Sequence, residues 1–341
     1  MNSGSTKTAP WQTSPNPYGF EPSAERVRQL SRRMRSGLID SLRYIVGQTN
    51  GQIEFSPEKL EQYLAQAAQG PVSPQAFCLY HDLVVALETD DLAAASKLLN
   101  ELPDLQAPQN GPVVIDLPNP QKTTAGQRYA RFIETDFSAG FAILPPSPKA
   151  SANCRAQIRD AFALMDAGDP ELAAEIRALV LEIILAAGTE DPKKMTFDGA
   201  SAFMLWGAIM INANRNDGEI GMVQMLAHES AHDLLFGFCA DGPLVENSPE
   251  ELFPSPLRVD PRPMEGIYHA TFVTARMHRA VKKLIDAGIL AGKSLEKARK
   301  DLAENARLFA KGIDVVHRHG KLSPMGEALM RGASDYMASA A

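Results

Sequence analysis

The run Leu226-Ala227-His228-Glu229-Ser230-Ala231-His232-Asp233 constrains this chain more than any other stretch. On an α-helix, residues four apart lie one above the other. Two imidazoles at that spacing can aim at one ion about 2 Å from each nitrogen, with the Glu229 carboxylate beside it. Met222, Val223, Leu226, Leu234 and Leu235 surround the motif with apolar side chains, so the helix is expected to be largely buried. Imidazoles there are costly without a metal or hydrogen-bond partners. Only seven histidines occur in 341 residues, which makes a chance match a poor account of the motif. His228 and His232 are therefore expected to hold a metal, on a helix that Asp217 caps and Gly237 ends.

Two histidines do not complete a catalytic metal site, which needs a third protein ligand and open positions for water or substrate. The segment from Asp260 to His269 is the best source: Pro261 and Pro263 give way to a helical pattern in which Glu265 and His269 share a face. Either could be the ligand. The two-His-one-carboxylate set of non-heme iron favours Glu265, which with Glu229 makes the pair of candidate catalytic carboxylates. Arg258, Arg262 and Arg276 flank the segment, and an Arg fork is the usual partner of a carboxylate, so Arg262 and Arg276 are candidates for binding a carboxylate co-substrate. His278, His317 and His319 sit among Lys and Arg on faces that read as exposed, and His81 stands alone as a structural residue.

Bulk properties narrow the setting. A net charge of −7 argues against a nucleic-acid surface, which needs clustered cations. Three widely spaced cysteines form neither a disulfide framework nor a Cys-based zinc site. The polar start lacks the apolar run of a signal peptide, and the longest apolar stretches, such as Phe203 to Ile211, are too short for a bilayer. A cytoplasmic protein without membrane segments is expected; its oligomeric state is not legible.

Periodicity sets the organisation. Residues 1–22, punctuated by prolines, read as a disordered polar arm. Residues 23–110 read as a helical region, with helices at Ala24 to Val46, Pro57 to Ala68, Pro74 to Leu87 and Asp91 to Leu102. Residues 111–341 form the metal-binding catalytic region, packed as one unit with the preceding helices. Within it, Val113 to Leu117, Tyr129 to Thr135 and Phe141 to Leu144 read as strands, as does Phe203 to Ile211 just before the motif. Helices are expected at Asn153 to Asp166, Pro170 to Ala187, Glu265 to Ala287, Ser294 to Ile313 and Pro324 to Ala338. The fold class is α+β, mainly helical with a small sheet, the metal lying between the motif helix and a following long helix.

The combination His228-Glu229-x-x-His232, then Asp260-Pro261-Arg262-Pro263, then Gly266 and His269 resembles the HExxH-type peptide-modification family. Its members are regarded as 2-oxoglutarate-dependent iron enzymes that β-hydroxylate residues of ribosomally made peptides in natural product biosynthesis. The likeness covers Met222 to roughly Arg279. It implies His228, His232 and His269 as iron-site residues and Arg262 as a co-substrate or structural arginine, and it tips the third ligand to His269 over Glu265. An Fe(II)/2-oxoglutarate-dependent oxygenase (a dioxygenase acting as hydroxylase) is the expected function. It would use dioxygen on a peptide or amino-acid-derived substrate. The motif alone also fits a zinc metallopeptidase in which Glu229 is the general base and the preceding strand, Phe203 to Ile211, is the edge that holds substrate backbone.

Overall fold

The computed structural model describes residues 18–49, 51–109, 111–134, 143–188, 197–255 and 260–340. Helices α1 (Ala24–Gln48), α2 (Pro57–Gln69), α3 (Pro74–Glu88) and α4 (Leu92–Glu101) open the chain. Each starts where a Ser or Asp side chain accepts from a free N–H of the first turn: Ser23, Ser56, Ser73 and Asp91. Their apolar faces close a core around Leu42, Leu60, Leu64, Leu79, Leu83 and Leu99. The first half of α1, through Val27, Leu30 and Met34, instead joins the larger core that surrounds the motif helix. One long helix thus ties the two cores together.

Strand β1 (Val113–Asp116) and helices α5 (Thr124–Glu134), α6 (Pro148–Gly168) and α7 (Pro170–Leu179) lead to strands β2 (Glu182–Ala186), β3 (Gly199–Ser201) and β4 (Ala208–Asn212). The sheet order is β1-β2-β4-β3, with β1, β2 and β4 parallel and β3 antiparallel at the edge. Ile183, Leu185, Ile209 and Ile211 face the core that holds α6 to α8, whereas Ile184, Ala186, Ala208 and Met210 face a smaller core that includes Tyr129. Helix α8 (Gly218–Cys239) carries the motif; a two-stranded ribbon of β5 (Leu252–Phe253) and β6 (Arg262–Pro263) precedes α9 (Met264–Asp286), α10 (Gly292–His319) and α11 (Pro324–Ser339). The architecture is mainly helical with a small sheet, as the periodicity implies. Among the described residues no helix is long and apolar enough to cross a membrane.

Several boundaries differ from the sequence expectation. Tyr129 to Glu134 is the end of α5 rather than a strand; Thr135, Phe141 and Ala142 lie outside the described residues. The expected helix from Pro170 stops at Leu179, and its apolar tail turns into β2, because a run buried on both faces has no period to separate strand from helix. Phe203 to Ile211 is divided: Phe203–Leu205 is a 3-10 turn, Gly207 takes φ +90°, and only then does β4 begin. β4 lies inside the sheet, so the edge is β3 and not the expected strand.

Candidate metal centre

Helices α8 and α9 pack side by side in opposite senses, which sets Cys239 near Glu265, His232 near His269, and His228 near Met277. His228 Nε2 and His232 Nε2 stand 3.2 Å apart. Two nitrogens bound to one tetrahedral ion at about 2.0–2.1 Å would be separated by about 3.3 Å, so this pair has the spacing of two ligands. His232 Nδ1 faces His269 Nδ1 at 3.2 Å, and His228 Nδ1 faces Met277 Sδ at 3.2 Å. The Nε2 atom of His269, a residue 5% exposed, is buried without a partner.

The three rings form a chain and not a tripod. His232 turns one nitrogen to each neighbour, and lone pairs on opposite sides of a ring cannot meet on one ion. Accordingly, among the described residues no group of three or more His, Cys, Asp or Glu side chains stands ready to hold a metal. The expectation of a formed three-ligand site is corrected to this: a ligand-spaced pair, and a third imidazole with an orphaned nitrogen beside it. An ion held by all three imidazoles would require one ring to turn.

The surroundings keep the imidazoles neutral. His228 and His232 are part-buried at the helix surface, yet burial pushes His228 and His269 down to about 4, and His232 lies well below the ordinary histidine range, its two histidine neighbours adding to burial. Neutral imidazole is the ligating form. Phe236 stacks on His232 with centroids 6.3 Å apart and leans on His269 at 5.4 Å; Phe203, half-exposed on the far side, meets Phe236 edge-on at 6.3 Å.

Glu229 is 4% exposed, and its Oε2 accepts from Ser201 Oγ of β3 at 3.0 Å. Burial pushes its carboxyl up to about 8, against the hydroxyl that pulls it down. The helix comes this close to the strand because residue 199 is glycine: a Cβ there would stand 2.5 Å from Glu229 Oε1 and 2.6 Å from Met225 Sδ. Asp233, fully buried, anchors the other side of α8. Its Oδ2 accepts from the Gly207 N–H at 3.2 Å, its carbonyl accepts from Trp206 Nε1 at 2.9 Å, and burial raises its carboxyl well above the usual range.

The remaining expected site residues lie elsewhere. Glu265 is exposed in the first turn of α9, alongside Cys239 and about 6 Å along the axis from His269. Arg262 ion-pairs with Asp260 at 2.9 Å on β6 and is 24% exposed. Arg276 does not serve as a free fork for a co-substrate: it is 1% exposed, donates to the Phe20 carbonyl at 2.7 Å and pairs with Glu175. Seven residues from His269, it shares that helix face but sits about 10 Å further along it. His278, expected on an exposed face, is buried against the Tyr336 hydroxyl at 2.9 Å. Arg258 lies outside the described residues. Sequence reasoning missed Ser201, Met277 and Phe236. Only Phe236, one turn after His232, carried a positional signal. No protein-family model matches the chain, and no curated protein matches it either.

Proposed function

We propose that this chain is a metal-dependent enzyme whose ion is held by His228, His232 and His269, and that it acts as an Fe(II)/2-oxoglutarate-dependent oxygenase hydroxylating an unactivated carbon of a peptide or amino-acid-derived substrate. The observation that carries the reading is the meeting of the two motif imidazoles with a third, 37 residues after His232, which faces His232 through Nδ1 and whose buried Nε2 has no partner. A buried, unpartnered nitrogen is costly unless something else satisfies it. The residues fit an ion by donor chemistry and by the His228–His232 spacing. The resemblance of the same residues to the HExxH-type peptide-modification family supplies the choice of reaction.

Iron would supply the oxidising chemistry, with 2-oxoglutarate and dioxygen as co-reactants. The chain's own residues do the rest. Phe236 packs on His232 and Met277 on His228, each covering part of an imidazole. Glu229, held at Oε2 by Ser201, keeps a proton or gives it up beside the ligand pair without leaving its place. Arg262 is the remaining candidate for the far carboxylate of the keto acid, now that Arg276 is engaged.

The burial of Glu229, next in sequence to His228, favours a second reading, a zinc metallopeptidase, in which the carboxyl of this motif residue would be the general base for water. One experiment separates them. Protein loaded with Fe(II) under reducing conditions is given 2-oxoglutarate, oxygen and candidate peptides, and the zinc-loaded form receives the same peptides. Succinate released in step with a product 16 mass units heavier is the expected result. Peptide-bond cleavage by the zinc form without succinate from the iron form overturns it.

A further inference from the structure

We infer that Met277 is a positioning residue: its thioether holds the ring proton of His228 on Nδ1 and so leaves Nε2, the nitrogen that faces His232, bare for an ion. The inference deepens the proposed function by naming what sets the ligating side of the cluster. It rests on that reading for its purpose alone, since the tautomers concerned are those of the metal-free protein.

A thioether sulfur has lone pairs and no hydrogen, so it can only accept. Met277 Sδ stands 3.2 Å from His228 Nδ1, and this contact is a hydrogen bond only when the proton is on that nitrogen. A neutral imidazole carries one N–H, which makes His228 Nε2 a lone pair. The consequence runs along the cluster. His228 Nε2 accepts from His232 Nε2–H at 3.2 Å, and His232 Nδ1, now bare, accepts from His269 Nδ1–H at 3.2 Å. His269 Nε2 is then left as a lone pair, and it is the buried atom without a partner.

The opposite direction fails at both ends. It sets the lone pairs of His228 Nδ1 and Met277 Sδ against each other at 3.2 Å, and it buries an N–H on His269 Nε2 with no acceptor. Orphaned buried donors are the rarer defect in folded proteins. One acceptor at the end of the chain of rings thus fixes all three tautomers. Helix α9 supplies both ends: it brings His269 to His232 and, about two turns further on, Met277 to His228. Met277 is only half-buried and is part of none of the three apolar cores, so core packing does not account for it. A leucine would fill the same space without an acceptor. Ligating imidazoles are held in the same way elsewhere, by an acceptor on the nitrogen that does not bind the ion.

The test reads the imidazole tautomers of the full-length, metal-free, nitrogen-15-labelled protein from long-range proton–nitrogen spectra near neutral pH. The expected pattern is an N–H on Nδ1 of His228 and of His269 and on Nε2 of His232. Met277→Leu keeps the volume and removes the acceptor. That variant should melt with the parent, lose the fixed pattern, and bind Zn(II) about tenfold more weakly in competition with a chromophoric chelator. An N–H on His228 Nε2 in the parent overturns the proposal, and this readout needs no variant. So does a Met277→Leu protein that keeps the parent's tautomers, or one whose Zn(II) affinity stays within about threefold of the parent's. The metal centre fails separately. If the parent shows the expected pattern, Met277→Leu loses it and neither protein binds Zn(II), Met277 still sets the rings and the metal assignment alone falls.

Discussion

Replacing Glu175 by Met tests whether the buried arginine of α9 is a strut or a co-substrate ligand. Glu175 is 2% exposed and accepts from three donors: the Ser23 N–H at 2.7 Å, Arg26 at 3.3 Å, and Arg276, itself 1% exposed. In Glu175→Met the two guanidiniums keep only carbonyl acceptors, Glu21 O for Arg26 and Phe20 O for Arg276. Stripping one partner from a buried pair leaves an uncompensated charge and costs about 3–5 kcal/mol, whereas replacing both partners by apolar groups of similar size is often near neutral. Urea denaturation of the metal-free protein should therefore show a loss of about 3–5 kcal/mol for Glu175→Met and a smaller loss for Glu175→Met with Arg276→Met, in which only Arg26 is left without its carboxylate. In the iron-loaded enzyme, Arg276→Met should leave the 2-oxoglutarate requirement within a few-fold of the parent. A single-variant loss under about 1 kcal/mol, or a double variant no better than the single, refutes the strut. So does a 2-oxoglutarate KM that rises in Arg276→Met while stability holds.

Four further outcomes are expected. Metal titration should show His228→Ala and His232→Ala abolishing binding with the helical circular dichroism retained. His269→Ala should weaken binding more than Glu265→Ala, since Glu265 is exposed beside Cys239; the reverse order would move the third ligand to Glu265. Glu229→Gln should keep the metal and measurable succinate formation, because its carboxyl holds place beside Ser201; complete loss of turnover with metal retained favours the peptidase. In the metal-free protein the His228 and His269 ring protons should show flat NMR shifts from pH 8 to 5 and titrate near 4. Lowered folded values mean that each ring's contribution to stability is intact above about 6.5 and is lost as pH falls toward 4, so a normal titration near 6.5 would contradict the packing.

The helices were legible where a cap and a one-sided apolar stripe coincide, as at Ser23 with Val27, Leu30 and Met34. They were illegible where burial is two-sided: Leu179 to Ala187 contains a helix end, a turn and β2 without a change in texture. β3 could not be read at all, because Gly199-Ala200-Ser201 has neither alternation nor β-branched residues, and its existence depends on β4 being there to pair with it. The same limit applied to the centre. The four-residue spacing of His228 and His232 is a local property of a helix and was readable. Which residue of α9 meets them depends on the offset between two helices, set by packing around Phe272, Val273 and Leu235. Arg276 misled because helical spacing gives the face but not what lies opposite it, here Glu175 and the Phe20 carbonyl.

Fourteen of the 22 residues of α8 are buried, and it packs against the sheet, α6, α7 and α9 at once. A helix enclosed in this way has no low-cost route to fraying in its middle. The amide hydrogens around Leu226 to Leu235 should be among the slowest in the protein to exchange, released only when the whole core opens. An arriving ion would find His228 and His232 already set at ligand spacing, so little of its binding free energy would go into ordering them, in contrast to domains that fold only around their metal. Rates of ion capture and release would then report the turning of a single imidazole rather than the breathing of the helix that carries the motif.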